Sequence, residues 1–508
     1  MRGDEGHTID FTVDGRTVRA PAGGSLLDAL RDHAGVRSAK DGCSPQGQCG
    51  CCTVWVDGQP RVACVTPVTR VAGRAVTTLD GLPDADDWAR RFCAAGASQC
   101  GFCTPGIIMR LAALVPERRT TDQVRQALLA HLCRCTGWTT IVDAATAPDV
   151  GVLPAPELGA RRAALEGHTP QRIGPDVALG RGGFAADTVP DGALVALRDE
   201  QGAWVVAGTI AEARRRAARV QGRRTTLPVS WPVEVPAGDW AITLQTTWTE
   251  PAYLEPDASW CEPGGEPASP LGNGGAFGGK VTSPVALAAR ELADRYGRPV
   301  LAMLTRDDVV RLGPKRPPLA MGLRGDGSGI VRVARTPGIT DRIRAATPDV
   351  RVDEVDVPGP ITSAAVRGAG WAEVTVCRAV LTGDDSVTSP DGATARAIVH
   401  ADNHVELWVR CGDPLDRTVL HSYCVGAAHM ALGWVRSEAI VLDADGVPVD
   451  VTLRSAGVLR AVDTPAITVH IADDDGPPVN GSDAVFAAVA AAEWRHRDRP
   501  PRWPTMRT

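Results

Sequence analysis

Apolar and polar residues alternate with a period of two at the start of the chain and shift to a helical period further on. TIDFTVDGRTVRA (8–20) predicts two strands around an Asp14-Gly15 turn, the dipeptide type that tight hairpins favour. SLLDALRDH (25–33) follows as a short amphipathic helix with Ser25 as N-cap. TVWVDGQPRVACV (53–65) predicts a second hairpin around Asp57-Gly58, its returning strand carrying Cys64. From 85 to 143 the spacing is helical in DDWARRFCAAGA, GIIMRLAALV and DQVRQALLAHLC. Pro105 suits the first turn of the second of these helices, and Thr120 or Thr121 caps the third.

Residues 144–170 turn to Ala, Pro and Gly and read as a connecting segment. Beyond it the pattern is mixed α/β. Strands are expected at 204–208, 241–248, 299–305, 395–401, 404–410 and 466–472, and helices at 209–220, 284–297, 417–434 and 483–497. No repeat of solenoid type is present. The division is 1–79, 80–147, a linker at 148–170, and 171–508.

A length of 508 residues leaves room for two to four domains with cores. A hydrophobic content of 44% with 22% charged residues is that of a soluble globular protein. The net charge of −6 gives no reason to expect nucleic acid or an anionic membrane as partner. No apolar run reaches transmembrane length, and MRGDEGHTIDF has no signal pattern, so a cytoplasmic location is expected. In that compartment the 14 cysteines are metal ligands or free thiols and not a disulfide framework.

Eight of those cysteines form two sets. Cys43, Cys49, Cys52 and Cys64 are separated by five, two and eleven residues. Cys100 and Cys103 are followed, after 29 residues, by Cys133 and Cys135. Four thiolates are what a [2Fe–2S] centre needs, and tetrahedral sulfur sites select iron–sulfur or zinc. The second set has the spacing of a zinc clamp too, but its helical insert and ferredoxin-like neighbour favour iron. Cys51 adjoins Cys52, and either side chain can face the metal. The two-residue gap after Cys49 selects Cys52. Hairpin, helix, ligand loop and hairpin is the layout of a β-grasp ferredoxin. Cys93, Cys261, Cys377, Cys411 and Cys424 stand alone and read as buried structural thiols.

NGGAFGGK (273–280) is a glycine-dense loop before a helix. It reads either as a flexible turn or as a place where backbone N–H groups close on an anionic cofactor. Arg367, among small residues in AVRGAGW, reads as a phosphate or carboxylate fork or as an ion-pair partner. The histidines show no HExxH motif, and His429 is expected to pack on its helix. No dinucleotide fingerprint or P-loop is present.

With QCGFCTPG and LCRCTG in both cysteine contexts, residues 5–145 resemble the iron–sulfur part of the xanthine dehydrogenase/aldehyde oxidase family of molybdenum hydroxylases. Five residues stand after Cys43 where the family has four. PAYLEPDA, NGGAFGGK, LTRDDVVRLGPKRPP, AVRGAGW and RCGDPLDRTVLHSYCVGAAHMALGW resemble landmarks of its molybdenum-binding part. The resemblance implies an α+β multidomain chain: a β-grasp [2Fe–2S] ferredoxin domain, a helical [2Fe–2S] domain and a mixed α/β molybdopterin-binding region. It further implies pterin contacts at Gln99 and Cys135, and a loop approaching molybdenum through Gly274, Gly275, Ala276, Phe277 and Gly278. It places Arg367 near the substrate.

Two departures stand out. The portion after residue 160 is about half the length the resemblance implies. Where the family has a catalytic glutamate, DDDGPPVNGSDAV places Gly476, with Asp475 next to it and Asp483 at the following helix start. The base therefore stays unassigned. The implied function is an oxidoreductase passing electrons from a molybdopterin site through two [2Fe–2S] clusters to a flavoprotein subunit or other acceptor. Its substrate would be a heterocycle or aldehyde, and no FAD domain is encoded. The alternative is a non-catalytic relay or assembly subunit with a degenerate molybdenum region, and a third reading is a zinc-stabilised interaction module.

Overall fold

The computed structural model describes residues 7–147, 149–219, 222 and 225–506. Strands β1 (Thr8–Val13) and β2 (Arg16–Pro21) pair antiparallel across the Asp14-Gly15 turn. Helix α1 (Leu26–Asp32) opens on a capping box in which Ser25 Oγ accepts from the Asp28 N–H and the Asp28 carboxylate accepts from the Ser25 N–H. After the ligand loop come β3 (Thr53–Val56), β4 (Gln59–Val62) and β5 (Ala75–Thr77). The sheet order is β2-β1-β5-β3-β4, with β1 and β5 parallel. This is the β-grasp arrangement that the alternation predicts.

The next element is helical: α2 (Ala85–Ala94), α3 (Thr104–Ala112), α4 (Thr121–Ala127) and α5 (Thr139–Thr146). Pro105 lies in the first turn of α3, and Thr120 Oγ1 caps α4 by accepting from the Gln123 N–H.

Three local expectations differ from the structure. Cys64 is not on the returning strand but in the 3₁₀ turn Ala63–Val65 just beyond β4. The helix expected through Cys133 ends at Ala127, so Leu132–Cys135 is non-helical and its thiols are free to turn inward. The stretch expected to be connecting chain carries helix α6 (Pro156–Gly167). It is held down because its buried Arg162 donates to the carbonyls of Pro414, Asp413 and Val479.

Three four-stranded sheets make up the rest. One orders Trp204–Ala207, Leu194–Arg198, Val300–Met303 and Ala258–Cys261. A second orders Val350–Val355, Gly329–Ala334, Leu319–Leu323 and Ile242–Gln245. The third orders Ser386–Thr388, Thr394–Val399, Val405–Arg410 and Ile467–Ile471. The last packs under helices Arg417–Arg436 and Ser482–His496. The helix expected at 209–220 runs Ile210–Ala217, and Val220 lies outside the described residues. Strand Leu319–Leu323 is buried throughout, so no polar period marks it in the sequence. Among the described residues no helix is long and apolar enough to cross a membrane.

The cores of the two halves are not separate. Ala178, Leu179, Phe184, Ala252, Leu254 and Leu453 pack into the same apolar cluster as the cysteine loops.

Candidate cluster and cofactor site

The loop between α1 and β3 supplies Cys43, Cys49 and Cys52 of the first thiol set, Gly47 and Gly50 taking positive φ there and letting the chain double back, and the turn after β4 supplies Cys64. The backbone N–H groups of Gln46 and Gln48 point at Cys43 Sγ (3.2 and 3.5 Å), and that of Cys64 at Cys52 Sγ (3.4 Å). Cys43 contacts Cys49 and Cys64, and Cys64 contacts Cys52. All four are buried. Hydrogen bonds from Cys49 and then Cys64 hold the Cys43 thiol well below its usual range, while those two thiols are pushed up in return.

Cys51 is a fifth buried thiol and contacts Cys49. Its Sγ lies 3.2 Å from where a Gly42 Cβ would stand, next to Cys49 Sγ at 3.0 Å and Phe102 Cε1 at 3.2 Å.

The second set comes from the turn before α3 and the non-helical run before α5. Cys135 Sγ lies 3.6 Å from Cys100 Sγ, and Cys103 bonds Cys133. The Cys133 thiol is pulled down to about 6 by the Cys103 bond, with help from Thr136. Cys103 and Cys135 are pushed up by their paired thiols.

Ionising one thiol of each set thus opposes ionising the next, because buried negative charges repel. Iron cations remove that opposition. The donor chemistry fits one [2Fe–2S] cluster per set: four buried sulfurs each, with N–H groups directed at sulfur. When bound, such clusters supply one-electron transfer. No group of three or more His, Cys, Asp or Glu side chains among the described residues is arranged to hold a single metal ion.

The residues implied as pterin contacts are brought together beside the second set, and each is already engaged. Gln99 Nε2 donates to the Cys135 carbonyl (3.0 Å) and Ser422 Oγ (2.9 Å). Arg367 Nε donates to Asp483 Oδ1 at 2.8 Å, its Nη2 donates to Ser482 Oγ, and its guanidinium lies 5.5 Å from the Phe277 ring centre.

The glycine loop is filled from its own chain. A Cβ on Gly275 would meet Cys100 Sγ at 3.1 Å and Cys135 Sγ at 3.3 Å; on Gly274, Gln171 Cδ at 2.6 Å; on Gly278, the Ala365 carbonyl oxygen at 2.0 Å. The space left is about 10 Å³ beside Gly274–Ala276 and about 30 Å³ beside Phe277 and Arg367. Roughly 10–15 Å³ holds one water, whereas small-molecule sites run to about 300–1,000 Å³. The residues do not fit a molybdopterin.

The candidate bases divide. Asp475 is exposed, and Gly476 sits in a surface turn whose N–H bonds Asp474 Oδ1 at 2.9 Å. Asp483 is buried at the site but is clamped by Arg367, with His168 Nε2 at 3.2 Å. Burial alone would raise its carboxyl, yet Arg367 and His168 outweigh that and hold it at about 2.

Sequence reasoning missed the groups that close the region. Arg134, between two second-set cysteines, forks onto Glu438. Arg316 pairs with Glu373 at 2.7 Å and lies 3.9 Å over the Trp434 ring. The one available signal was the charged residue inside CRC.

Residues 6–80 match the family described as 2Fe-2S iron-sulfur cluster binding domain, and 78–146 the [2Fe-2S] binding domain. The iron-sulfur-binding subunit of xanthine dehydrogenase from Escherichia coli O157:H7 is 36% identical over 152 residues, 28% of this chain and 94% of the relative. A xanthine dehydrogenase from Blastobotrys adeninivorans is 36% identical over 156 residues, so the matched stretch spans 27% of this chain and only 11% of that relative. An aldehyde oxidoreductase from Desulfovibrio gigas superposes with a TM-score of 0.72 over 98% of this chain and 99% of its own, at 15% identity. That likeness extends the shared fold to the whole chain.

Proposed function

This chain belongs to the xanthine dehydrogenase/aldehyde oxidase family of molybdenum hydroxylases, and on that premise we propose that it is an electron-relay member of such an oxidoreductase. Cys43, Cys49, Cys52 and Cys64 hold one [2Fe–2S] cluster, and Cys100, Cys103, Cys133 and Cys135 hold the other. The C-terminal half keeps the family's architecture as a cap over the second set. Electrons are exchanged with external redox partners, a flavoprotein subunit among them.

The observation that carries this reading is the closed glycine loop. Gly275 lies against Cys100 and Cys135, and about 10 Å³ remains where the family's cofactor would approach. The exposed Asp475 and the Asp483 carboxylate held by Arg367 supply no free base there. A second reading, a working hydroxylase, draws support from the convergence of Gln99, the glycine loop and Arg367 on one buried region.

Metal analysis separates the two. The relay requires about four irons per chain, two for each cluster, and no molybdenum from a host that makes the cofactor. Molybdenum near one equivalent with releasable pterin overturns the relay in favour of the hydroxylase. Zinc without iron removes both.

A further inference from the structure

Resting on the relay reading, we propose that the cavity between the first thiol loop and the Leu194–Arg198 sheet binds a small quinone, reached by electrons across the Phe102 ring. The cavity measures about 290 Å³ and is lined by Phe102, Phe184, Ile210, Met303, Arg37 and Lys40 among others. That is the lower end of small-molecule sites, room for one or two fused rings.

Phe102 is the reason to read it as an electron port. In the chain it lies between Cys100 and Cys103. Its Cε1 meets the Gly42 position, where Cys49 and Cys51 sulfurs also converge. Its ring also packs edge-on against Phe184 at 5.1 Å, on the cavity wall. One aromatic ring therefore adjoins the first thiol set, the second thiol set and the cavity.

The polar lining selects the ligand class. Asp187 is occupied by Lys40 and Arg31 (2.9 Å to Arg31), and Asp41 by Arg214. Arg37 is half-buried and donates only to the Arg31 carbonyl (2.9 Å), with no ion pair among the described residues. It is the free donor. Asp32, Asp41, Asp187, Asp191 and Glu255 outnumber Arg31, Arg37 and Lys40, so a fully anionic ligand is disfavoured. A neutral planar ring with carbonyl oxygens accepts from Arg37, stacks on the Phe102–Phe184 pair, and becomes a hydroxyl donor facing carboxylates once reduced. Arg37 also offsets the negative charge that arrives with the first electron.

The step balances. One electron from each reduced cluster and two protons from water convert the quinone to its hydroquinone, and both clusters return to the oxidised level.

The test is titration of menadione into the oxidised, cluster-loaded full chain by calorimetry. One saturable site per chain is expected, weakened at least tenfold by Arg37→Ala. Gly208→Leu is the independent variant: Gly208 lines the cavity, and a Cβ there meets nothing nearer than Glu212 Oε2 at 3.7 Å, so bulk is added to the wall without a clash at Cβ. It is expected to weaken binding as strongly. In stopped flow, the ratio of menadione to ferricyanide reoxidation rates of the dithionite-reduced protein falls tenfold or more in both variants. Absence of saturable binding, or equal affinity in wild type and both variants, overturns the site. A chain without iron–sulfur absorbance instead overturns the relay reading, and the calorimetric arm still reports on the cavity.

Discussion

Arg134 and Glu438 form a buried fork-to-fork pair, with Nη1 donating to Oε1 at 2.6 Å and Nη2 to Oε2 at 2.8 Å. Arg134 Nε also donates to the Pro251 carbonyl at 2.9 Å. The guanidinium stands between Cys133 and Cys135 of the second thiol set, whereas the carboxylate lies 304 residues away in the C-terminal part. This pair ties the second thiol set to its cap.

Glu438→Leu leaves that guanidinium buried without a counter-charge, with only the Pro251 carbonyl as acceptor. Breaking a buried pair from one side costs about 3–5 kcal/mol. Urea denaturation is expected to show a loss of that size, with early loss of the second cluster's EPR signal. Arg134→Met added to Glu438→Leu is expected to recover most of it, because the stranded charge is then gone.

Cys51 and Cys52 are distinguishable by iron content. The Cys64 N–H points at Cys52 Sγ, and Cys51 bonds only toward Cys49. Cys52→Ser is expected to halve the iron and remove the first cluster's EPR signal. Cys51→Ser is expected to keep full iron.

Gly426→Ala acts across the same junction. A Cβ on Gly426, in the helix Arg417–Arg436, would stand 1.8 Å from the Cys135 carbonyl oxygen, and backbone cannot yield as a side chain tip does. Overpacking of this kind costs about 1–3 kcal/mol or more. A lower thermal midpoint and a disturbed second-cluster spectrum are expected, with the first-cluster spectrum retained.

His429 sets part of the acid sensitivity. Burial first, and Arg134 second, hold its pKa at about 4 against an ordinary 6.5, with Nε2 donating to the Leu459 carbonyl at 3.1 Å. Below pH 6.5 the unfolded chain takes up a proton that the folded chain refuses until about pH 4. Stability therefore falls with pH across that window, by up to about 3 kcal/mol from this residue. In urea midpoints measured between pH 7 and pH 4.5, His429→Leu is expected to give a shallower decline than wild type.

Much of the iron–sulfur part was legible in the residues because its determinants are local. Cysteine spacing within a short loop, an Asp-Gly turn, the Ser25 and Thr120 caps and Pro105 each act over a few residues, and the turn, the caps and Pro105 occupy the roles that their chemistry predicts. The two family models over 6–146 rest on that same local text. Strand Leu319–Leu323 was not legible, since a strand buried on both faces shows no alternation.

The meaning of NGGAFGGK depended on tertiary structure. A missing side chain makes room either for a ligand or for the protein's own atoms, and spacing does not say which. Here Gln171, Cys100, Cys135 and Ala365, all distant in sequence, take that room. The partners of Arg367 and Arg134 likewise lie 116 and 304 residues away. The cavity wall joins Phe102 to Phe184. Long-range packing of buried charge and aromatic rings fixes these relationships, and no local pattern carries them.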